Sequence, residues 1–276
     1  MSEESSTAGQ AGEPVRRGEG AEGFPHGSKY PFFLGLGLFF TGVGLSMWLP
    51  VLVVGLPIVA YGMWGWSKEY AIDEFESGVI PEQKRQIIGM RSGYIAMILV
   101  VGGELIIFAG LFVTWFYLNA TREQFFPPVV DLPEPTLVLG GVMTALLIAG
   151  SVAIAYARHS ITNDNRRGLN LGVGLTFLLG LAFLAVLGVE WSGLMGAGLS
   201  WTSGPYGATY YVITGVHAVH MIVGMVLVGF VGYRTWLRGH FSSERYLAVS
   251  TTELYWHFLT FVSILILAFV YYPTAV

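Results

Sequence analysis

Residues 92–118, SGYIAMILVVGGELIIFAGLFVTWFYL, decide the fold of this chain. This run of 27 residues is long enough to cross a bilayer as one helix, because about 20 apolar residues suffice. Glu104 lies near its middle, about 18 Å from one end at a helical rise of about 1.5 Å per residue. An acid at that depth costs roughly 2.5–3.5 kcal/mol. The position therefore makes Glu104 a candidate functional residue.

The composition is that of a membrane protein with several spans. Of the 276 residues, 54% are hydrophobic and 12% are charged, and the mean hydropathy is +0.61. The net charge of -4 and the lack of a basic cluster argue against nucleic acid as a partner. Because the chain has no cysteine, it contains no disulfide, thiolate metal site, iron-sulfur cluster or cysteine-bound copper centre.

The apolar pattern predicts an all-α fold of seven transmembrane helices. The expected helices are at about 31–49, 51–66, 92–118, 136–157, 169–190, 207–232 and 250–272. The long polar connection at 67–91 separates two helices from the other five and predicts a two-plus-five grouping. We expect a disordered tail at 1–29, which is poor in aliphatic residues and has no signal-peptide core, and a transmembrane domain at 30–276.

The basic residues predict the orientation. If the N-terminus is cytoplasmic, Arg122 is the one outer residue among the 14 Lys and Arg residues. The positive-inside rule therefore predicts a cytoplasmic N-terminus, an outer C-terminus and a multi-pass protein of the cell membrane. Aromatic residues at span ends fit interfacial belts, among them Trp115, Trp191 and Tyr271.

Three histidines lie within predicted spans. His217 and His220 are three residues apart and share a helix face, while His257 is in the seventh span. One interpretation is a metal or haem site, since imidazole is the commonest metal ligand. The favoured one is hydrogen bonding between helices, to Glu104, Thr214 or backbone carbonyls, because no other suitable ligand lies at matching depth. The chain is predicted to have no catalytic residue and no metal site.

The other polar positions also allow two interpretations. Glu104 acts either as a neutral hydrogen-bond donor between helices or in proton transfer or lipid gating. Glu190 closes the fifth span and is interpreted as a structural carboxylate that stays hydrated, while Glu253 opens the seventh span. Arg234, at the inner end of the sixth span, is a topology determinant, a ligand of a lipid headgroup, or both.

Four segments in order resemble subunit III of the haem-copper cytochrome oxidases. YGATYYVITGVHAVHMIVG at 206–224 is similar to that family's Tyr-Gly, aromatic pair, Thr-Gly and two histidines three apart. GELIIFAGLFVTWFY at 103–117 resembles its third helix and places Glu104 on the family's buried carboxyl. VEW at 189–191 and YWHF at 255–258 match its later helices, so the resemblance covers about 25–272.

The resemblance implies an accessory subunit of a proton-pumping terminal oxidase of aerobic respiration. Partner subunits I and II would carry the haem and copper and reduce oxygen, and this chain would hold no redox centre. A cleft between the two helix groups would hold phospholipid, with Arg234 on a headgroup and Glu104 facing the same region. The chain would sustain proton uptake and the stability of the catalytic subunit.

The chain departs from the family pattern at a few polar positions. Thr260 and Ser250 stand where the family's last helix usually has acids, and Tyr117 stands where it often has histidine. These departures concern the polar contacts of single helices and leave the order of motifs unchanged.

Other classes of membrane protein require different sequence features. An independent proton-coupled transporter would use Glu104 with the histidines as a relay, but the chain shows no inverted repeat. A haem-binding cytochrome would absorb visible light as an isolated chain. A retinal protein needs a lysine within a span, and all three lysines lie in polar segments: Lys29, Lys68 and Lys84.

Overall fold

The computed structural model describes residues 28–46, 49–69, 85–87, 90–123, 125–126 and 136–272. These residues form seven α-helices, numbered here in chain order: α1 Tyr30–Ser46, α2 Leu52–Lys68, α3 Ser92–Thr121, α4 Thr136–Thr162, α5 Arg166–Gly196, α6 Pro205–Trp236 and α7 Leu247–Ile266. The shorter elements are a 3-10 turn at Leu49–Val51, a π-helical turn at Leu267–Tyr271 and two antiparallel strands, β1 Arg85–Ile87 and β2 Met90–Arg91. The predicted disordered tail lies, apart from its last two residues, outside the described ranges.

Five of the described helices, α3 to α7, are long and apolar enough to cross a membrane. The chain is therefore a multi-pass membrane protein. Helices α1 and α2 have 17 residues each. That length is about 26 Å at about 1.5 Å per residue, against a hydrocarbon core of about 30 Å. The crossing of the membrane by α1 and α2, the sides of the two termini and the lipid-holding cleft stay predictions.

Helices α5 and α6 begin earlier and end later than predicted. The spans expected at 169–190 and 207–232 belong to the helices Arg166–Gly196 and Pro205–Trp236. Hydropathy marks the part of a helix that suits hydrocarbon, whereas the helix itself continues until a residue ends it. Asn165 caps α5 by accepting a hydrogen bond from the Gly168 N–H at 3.0 Å. Pro205 begins α6. The first N–H groups of a helix make no intrahelical hydrogen bond, so proline loses none by lacking an N–H there.

The helices belong to two compact units, α1 with α2 and α3 with α4 to α7, and the boundary lies after residue 82. In the first unit the two helices touch backbone to backbone. A Cβ on Gly37 would lie 2.5 Å from the backbone N of Val59, and one on Gly62 would lie 2.7 Å from that of Leu34. Gly37 comes later in α1 than Leu34, whereas its neighbour Val59 comes earlier in α2 than Gly62. The two helices are therefore antiparallel. Small residues allow this approach, which replaces a hydrophobic driving force that lipid does not supply.

The second unit is held by a buried core and by hydroxyl groups between helices. Trp256 of α7 is fully buried, and its Nε1–H donates to the Leu147 carbonyl of α4 at 3.3 Å. Two hydroxyl pairs also join α4 to α7: Thr144 with Ser263 at 3.0 Å and Ser151 with Thr260 at 2.8 Å. Thr260, one of the departures from the family pattern, therefore has a hydrogen-bond partner within this unit.

The connection between α4 and α5 is tied to the connection between α6 and α7. Asp164 has a positive φ of 54°, which Asp adopts more readily than most residues. Its Oδ1 accepts a hydrogen bond from the Ser243 backbone N–H at 2.8 Å. That bond, with help from the Ser243 hydroxyl and the Arg166 charge, holds the pKa of Asp164 below its ordinary value. A charged group in a polar loop thus joins two connections that are distant in sequence.

Candidate functional site

Glu104 and His220 are in direct contact between α3 and α6. The Glu104 Oε2 lies 2.8 Å from the His220 Nε2, although the residues are 116 positions apart in sequence. Their side chains are 28% and 14% exposed, respectively. The acid singled out from the third span therefore lies against one of the three membrane histidines.

The second nitrogen of His220 defines the protonation of this pair. Its Nδ1 lies 2.7 Å from the Val216 carbonyl, and a carbonyl accepts hydrogen bonds, so Nδ1 carries a hydrogen. In the bond to Glu104, a single hydrogen then lies between Nε2 and Oε2. The pair is a neutral acid with a neutral imidazole or a carboxylate with an imidazolium. Its net charge is zero in both forms, which lowers the cost of a carboxyl group in a membrane.

Aromatic rings surround the Glu104–His220 pair. The ring of Phe108, one helical turn after Glu104, packs edge to face on His220 with centroids 5.1 Å apart. Phe258 of α7 lies 5.9 Å from Phe108 and 6.2 Å from His220. Phe108 itself is 1% exposed. These rings fix the plane of the imidazole and exclude water from one side of it.

His217 shares a helix with His220 but does not bind Glu104. It is 4% exposed, and its Nε2 donates to the Leu259 carbonyl of α7 at 3.1 Å. The rings of Phe183 and Phe108 lie 5.5 Å and 6.3 Å from its own. Its Nδ1 remains as a hydrogen-bond acceptor.

The described parts of the chain bring together no group of three His, Asp or Glu side chains that could hold a metal ion. His220 already bonds to Glu104 and Val216, and His217 bonds to Leu259. The bonds of His220 to Glu104 and of His217 to Leu259 join different helices, whereas Val216 lies in the same helix as His220.

His257 belongs to a separate cluster with Glu253 and Arg158. Glu253 forms an ion pair with Arg158 of α4, and its Oε1 lies 3.6 Å from the His257 Nε2 one turn further along α7. The Glu253 side chain is 11% exposed, whereas those of Arg158 and His257 are 44% and 45% exposed. From the sequence, Arg158 contributes only to the count of basic residues that predicts the orientation. The sequence offered one signal for the pair: Arg158 lies within two turns of the end of α4, and Glu253 lies within two turns of the start of α7.

Glu190 of α5 lies in a third cluster, with two tyrosines. The Tyr271 hydroxyl donates to the Glu190 Oε2 at 2.8 Å. That bond uses its single hydrogen, so the Tyr210 hydroxyl, 3.2 Å away, is the donor to Tyr271. Within the described residues the second oxygen of Glu190 has no hydrogen-bond partner.

Two expectations about residues at helix ends are wrong. Glu190 is 2% exposed, so its carboxyl group is not a hydrated interfacial one. Tyr271 and Trp115 are 3% and 1% exposed and belong to the core, not to an interfacial belt. Tyr271 lies on Glu190, Tyr210 packs on Tyr271, and Phe125 packs on Trp115. A pattern along one span does not report such contacts. The sequence signal for a partner of Glu190 was position: Tyr210 lies near the start of α6, and Tyr271 lies at the end of the turn that follows α7.

Arg234 lies in the last turn of α6 against aromatic rings. Its guanidinium carbon is 4.8 Å from the Phe241 ring centroid and 5.8 Å from that of Phe230. Its Nε is buried and makes no hydrogen bond within the described residues. A cation held in this way has unused donors for an anionic group.

Comparisons with known proteins agree on one family. The sequence model described as cytochrome c oxidase subunit III matches residues 25–275. Cytochrome c oxidase subunit 3 of Struthio camelus is 30% identical over 84% of this chain and 89% of its own length. The subunit 3 proteins of Pongo abelii and Heterololigo bleekeri are 28% and 27% identical, each over 89% of this chain and at least 94% of their own lengths. The chain therefore belongs to the cytochrome c oxidase subunit III family.

Proposed function

We propose that this chain supports proton uptake by the catalytic subunit of its oxidase, prolongs the active life of that subunit and binds phospholipid. Membership of the family makes the chain an accessory subunit of an oxidase complex, in a family whose third subunit carries no redox centre. The Glu104–His220 pair is the observation that favours a role in proton handling.

The chemistry of the pair is suited to that role. One hydrogen lies between Oε2 and Nε2, so moving it between the two atoms changes neither the net charge nor the positions of the side chains. Glu104 is partly exposed while Phe108 closes the other side of His220. Exchange of protons with the surroundings would therefore take place through the Glu104 carboxyl.

The proposed partners are subunits I and II of the oxidase. Haem and copper would be bound there, and oxygen reduction and proton translocation would occur there. Residues of this chain would act by holding Glu104 and by packing against the catalytic subunit, since none of them is proposed to be catalytic. His217, His257, Glu190 and Glu253 would give polar support within the helix bundle.

The proposed lipid contact is made by Arg234. A phospholipid phosphate would accept hydrogen bonds from the guanidinium, whose position on the Phe241 ring supplies no anionic partner. The last turn of a membrane helix is the depth at which headgroups lie. We place the complex in the cell membrane, with residues 1–29 as a cytoplasmic tail.

The alternative of an independent proton-coupled transporter is not supported, because the matched family and relatives are oxidase subunits. The two hypotheses still differ in a measurable way. A transporter moves protons without a partner, whereas an accessory subunit affects proton movement through the catalytic subunit.

Purification through a tag on this chain, in mild detergent, tests the proposal. We expect haem absorbance that follows a larger partner and disappears when this chain is isolated. The purified complex is then compared with its Glu104→Gln variant for proton uptake and for the number of turnovers before inactivation. Unchanged values for both quantities would contradict the proton-related role, and a colourless protein without partners would contradict the subunit assignment.

A further inference from the structure

A small cavity lies among α4, α5, α6 and α7, away from Glu104 and His220. Its volume is about 20 Å³, and about 10–15 Å³ is enough for one water molecule. Most of the surface that faces the cavity is apolar, but five of its ten lining residues have polar side chains: Thr144, Thr214, His217, Ser263 and Tyr271. All five are at least 95% buried.

These polar groups have hydrogen-bonding capacity left. His217 donates from Nε2 to the Leu259 carbonyl, so its Nδ1 is an acceptor without a partner in the described part of the chain. The Thr214 hydroxyl donates to the Tyr210 carbonyl at 2.8 Å and keeps its lone pairs. The Thr144 hydroxyl lies 3.0 Å from the Ser263 hydroxyl and 3.5 Å from the Ser263 carbonyl. When Thr144 donates across the shorter contact, the Ser263 hydroxyl keeps its own hydrogen for a further acceptor.

A buried acceptor without a partner is costly. Leaving such a group unsatisfied costs about 1–3 kcal/mol, whereas a buried water typically makes about three hydrogen bonds to groups of this kind. The hydroxyl and imidazole groups here supply both the acceptors and the donor that one water needs. A cavity lined by apolar groups alone would instead stay dry.

We propose that this cavity is a binding site for one buried water molecule. The water donates to the His217 Nδ1 and to the Thr214 hydroxyl oxygen, and it accepts from the Thr144–Ser263 pair. Tyr271, which donates to Glu190, lines the same cavity. The water therefore links Thr144 of α4 and Ser263 of α7 to His217 of α6, and it acts as a positioning ligand that fixes the ring of His217.

A high-resolution map of the intact oxidase complex tests the site. We expect a density peak about 2.7–3.2 Å from the His217 Nδ1. Absence of a peak in a map that resolves other buried waters would overturn the proposal. Xenon bound in the cavity after pressurisation would also overturn it, because xenon occupies dry apolar cavities.

Thr214→Val removes the hydroxyl and keeps the shape of the side chain. Thr176→Val is the matched control, because Thr176 is also buried and also donates to the carbonyl four residues before it, yet it does not line the cavity. We expect the peak to lose at least half its occupancy in Thr214→Val and to remain in Thr176→Val. A peak of unchanged position and occupancy in Thr214→Val would contradict the assigned hydrogen bonds. If Thr214→Val does not assemble, Ser263→Ala tests the donor side of the site in the same way.

Discussion

Glu104 and His220 share a single hydrogen across the 2.8 Å between Oε2 and Nε2, because the other ring nitrogen of His220 donates to the Val216 carbonyl. An acid in a membrane span is thereby kept within a pair of zero net charge. The protonation state of the pair follows from the hydrogen bonds themselves. Substitutions that keep this hydrogen bond are therefore expected to differ in effect from substitutions that remove it.

Glu104→Gln should leave assembly and initial oxygen reduction nearly intact. The amide N–H₂ can donate to the His220 Nε2, as a protonated acid would, while Nδ1 keeps its bond to Val216. Proton uptake or the number of turnovers before inactivation should change, because the amide does not release and rebind a proton as a carboxyl group does. Oxygen consumption and proton uptake of the purified complex measure both effects.

Glu123→Gln is the control for that variant, since Glu123 is an exposed acid just beyond the end of the same helix. It should change neither quantity. Complete loss of initial activity in a correctly assembled Glu104→Gln complex would contradict the prediction.

A double-mutant cycle should show direct coupling between the two residues. Glu104→Leu and His220→Leu each remove one side of the 2.8 Å hydrogen bond. Interhelical hydrogen bonds in membranes contribute about 0.6 kcal/mol on average and up to about 1.7 kcal/mol. We expect a coupling energy in that range from unfolding in detergent. The control cycle combines Glu104→Leu with His217→Leu. An equal coupling energy in that cycle would show that the coupling is not specific to Glu104 and His220.

Arg158→Gln should destabilise the five-helix unit. It leaves the Glu253 carboxylate, whose side chain is 11% exposed, without its cation. The cost of such a group is about 1–3 kcal/mol, and we expect the lower end because the Arg158 side chain is 44% exposed to screening. Thermal unfolding of the complex measures the loss.

Adding Glu253→Gln to Arg158→Gln should restore part of the stability, since the double variant has no unpaired carboxylate. Arg167→Gln is the control, because Arg167 is an exposed residue near the same end of the helices. Equal losses in Arg158→Gln and Arg167→Gln would show that the ion pair with Glu253 is unimportant.

Gly37→Ala should weaken the α1–α2 hairpin. The added methyl group would meet the backbone of Val59 at 2.5 Å, and overpacking of this kind costs about 1–3 kcal/mol. Gly35→Ala is matched in chemistry and helix, and its methyl group would meet nothing within 4 Å. The control should be neutral or gain up to about 1 kcal/mol from helix propensity. Equal unfolding temperatures of the two variants would refute the close approach.

Asp164→Asn should remove a stabilisation that depends on pH. The pKa of Asp164 is lower in the folded chain than its ordinary value of 3.8, because the Ser243 N–H donates to the carboxylate. The stabilisation is therefore fully present above pH 3.8 and is lost as the pH falls through the folded pKa. Hydrogen exchange of the Ser243 amide should be faster in the variant at neutral pH, with the difference disappearing in acid. A difference that is constant down to pH 2 would contradict the role of the charge.

The sequence by itself determined the membrane character of the chain, the helices α3 to α7 and the place of Glu104 within a span. These features are local, because a long apolar run fixes a span and one acid in its middle is conspicuous. The order of four short motifs also pointed to the family, since the spacing of such motifs is written along the chain. Helix ends were less accurate, because caps such as Asn165 act beyond the apolar run.

The tertiary structure alone decided which polar groups meet. His220 rather than His217 binds Glu104, although both lie on one face of α6, because the rotation of α6 against α3 and α7 sends His217 to the Leu259 carbonyl. Glu190 and Tyr271 are 81 residues apart. A sequence pattern records which face of a helix is polar, but the contacts of that face depend on how the helices pack, and packing joins residues that no local pattern relates.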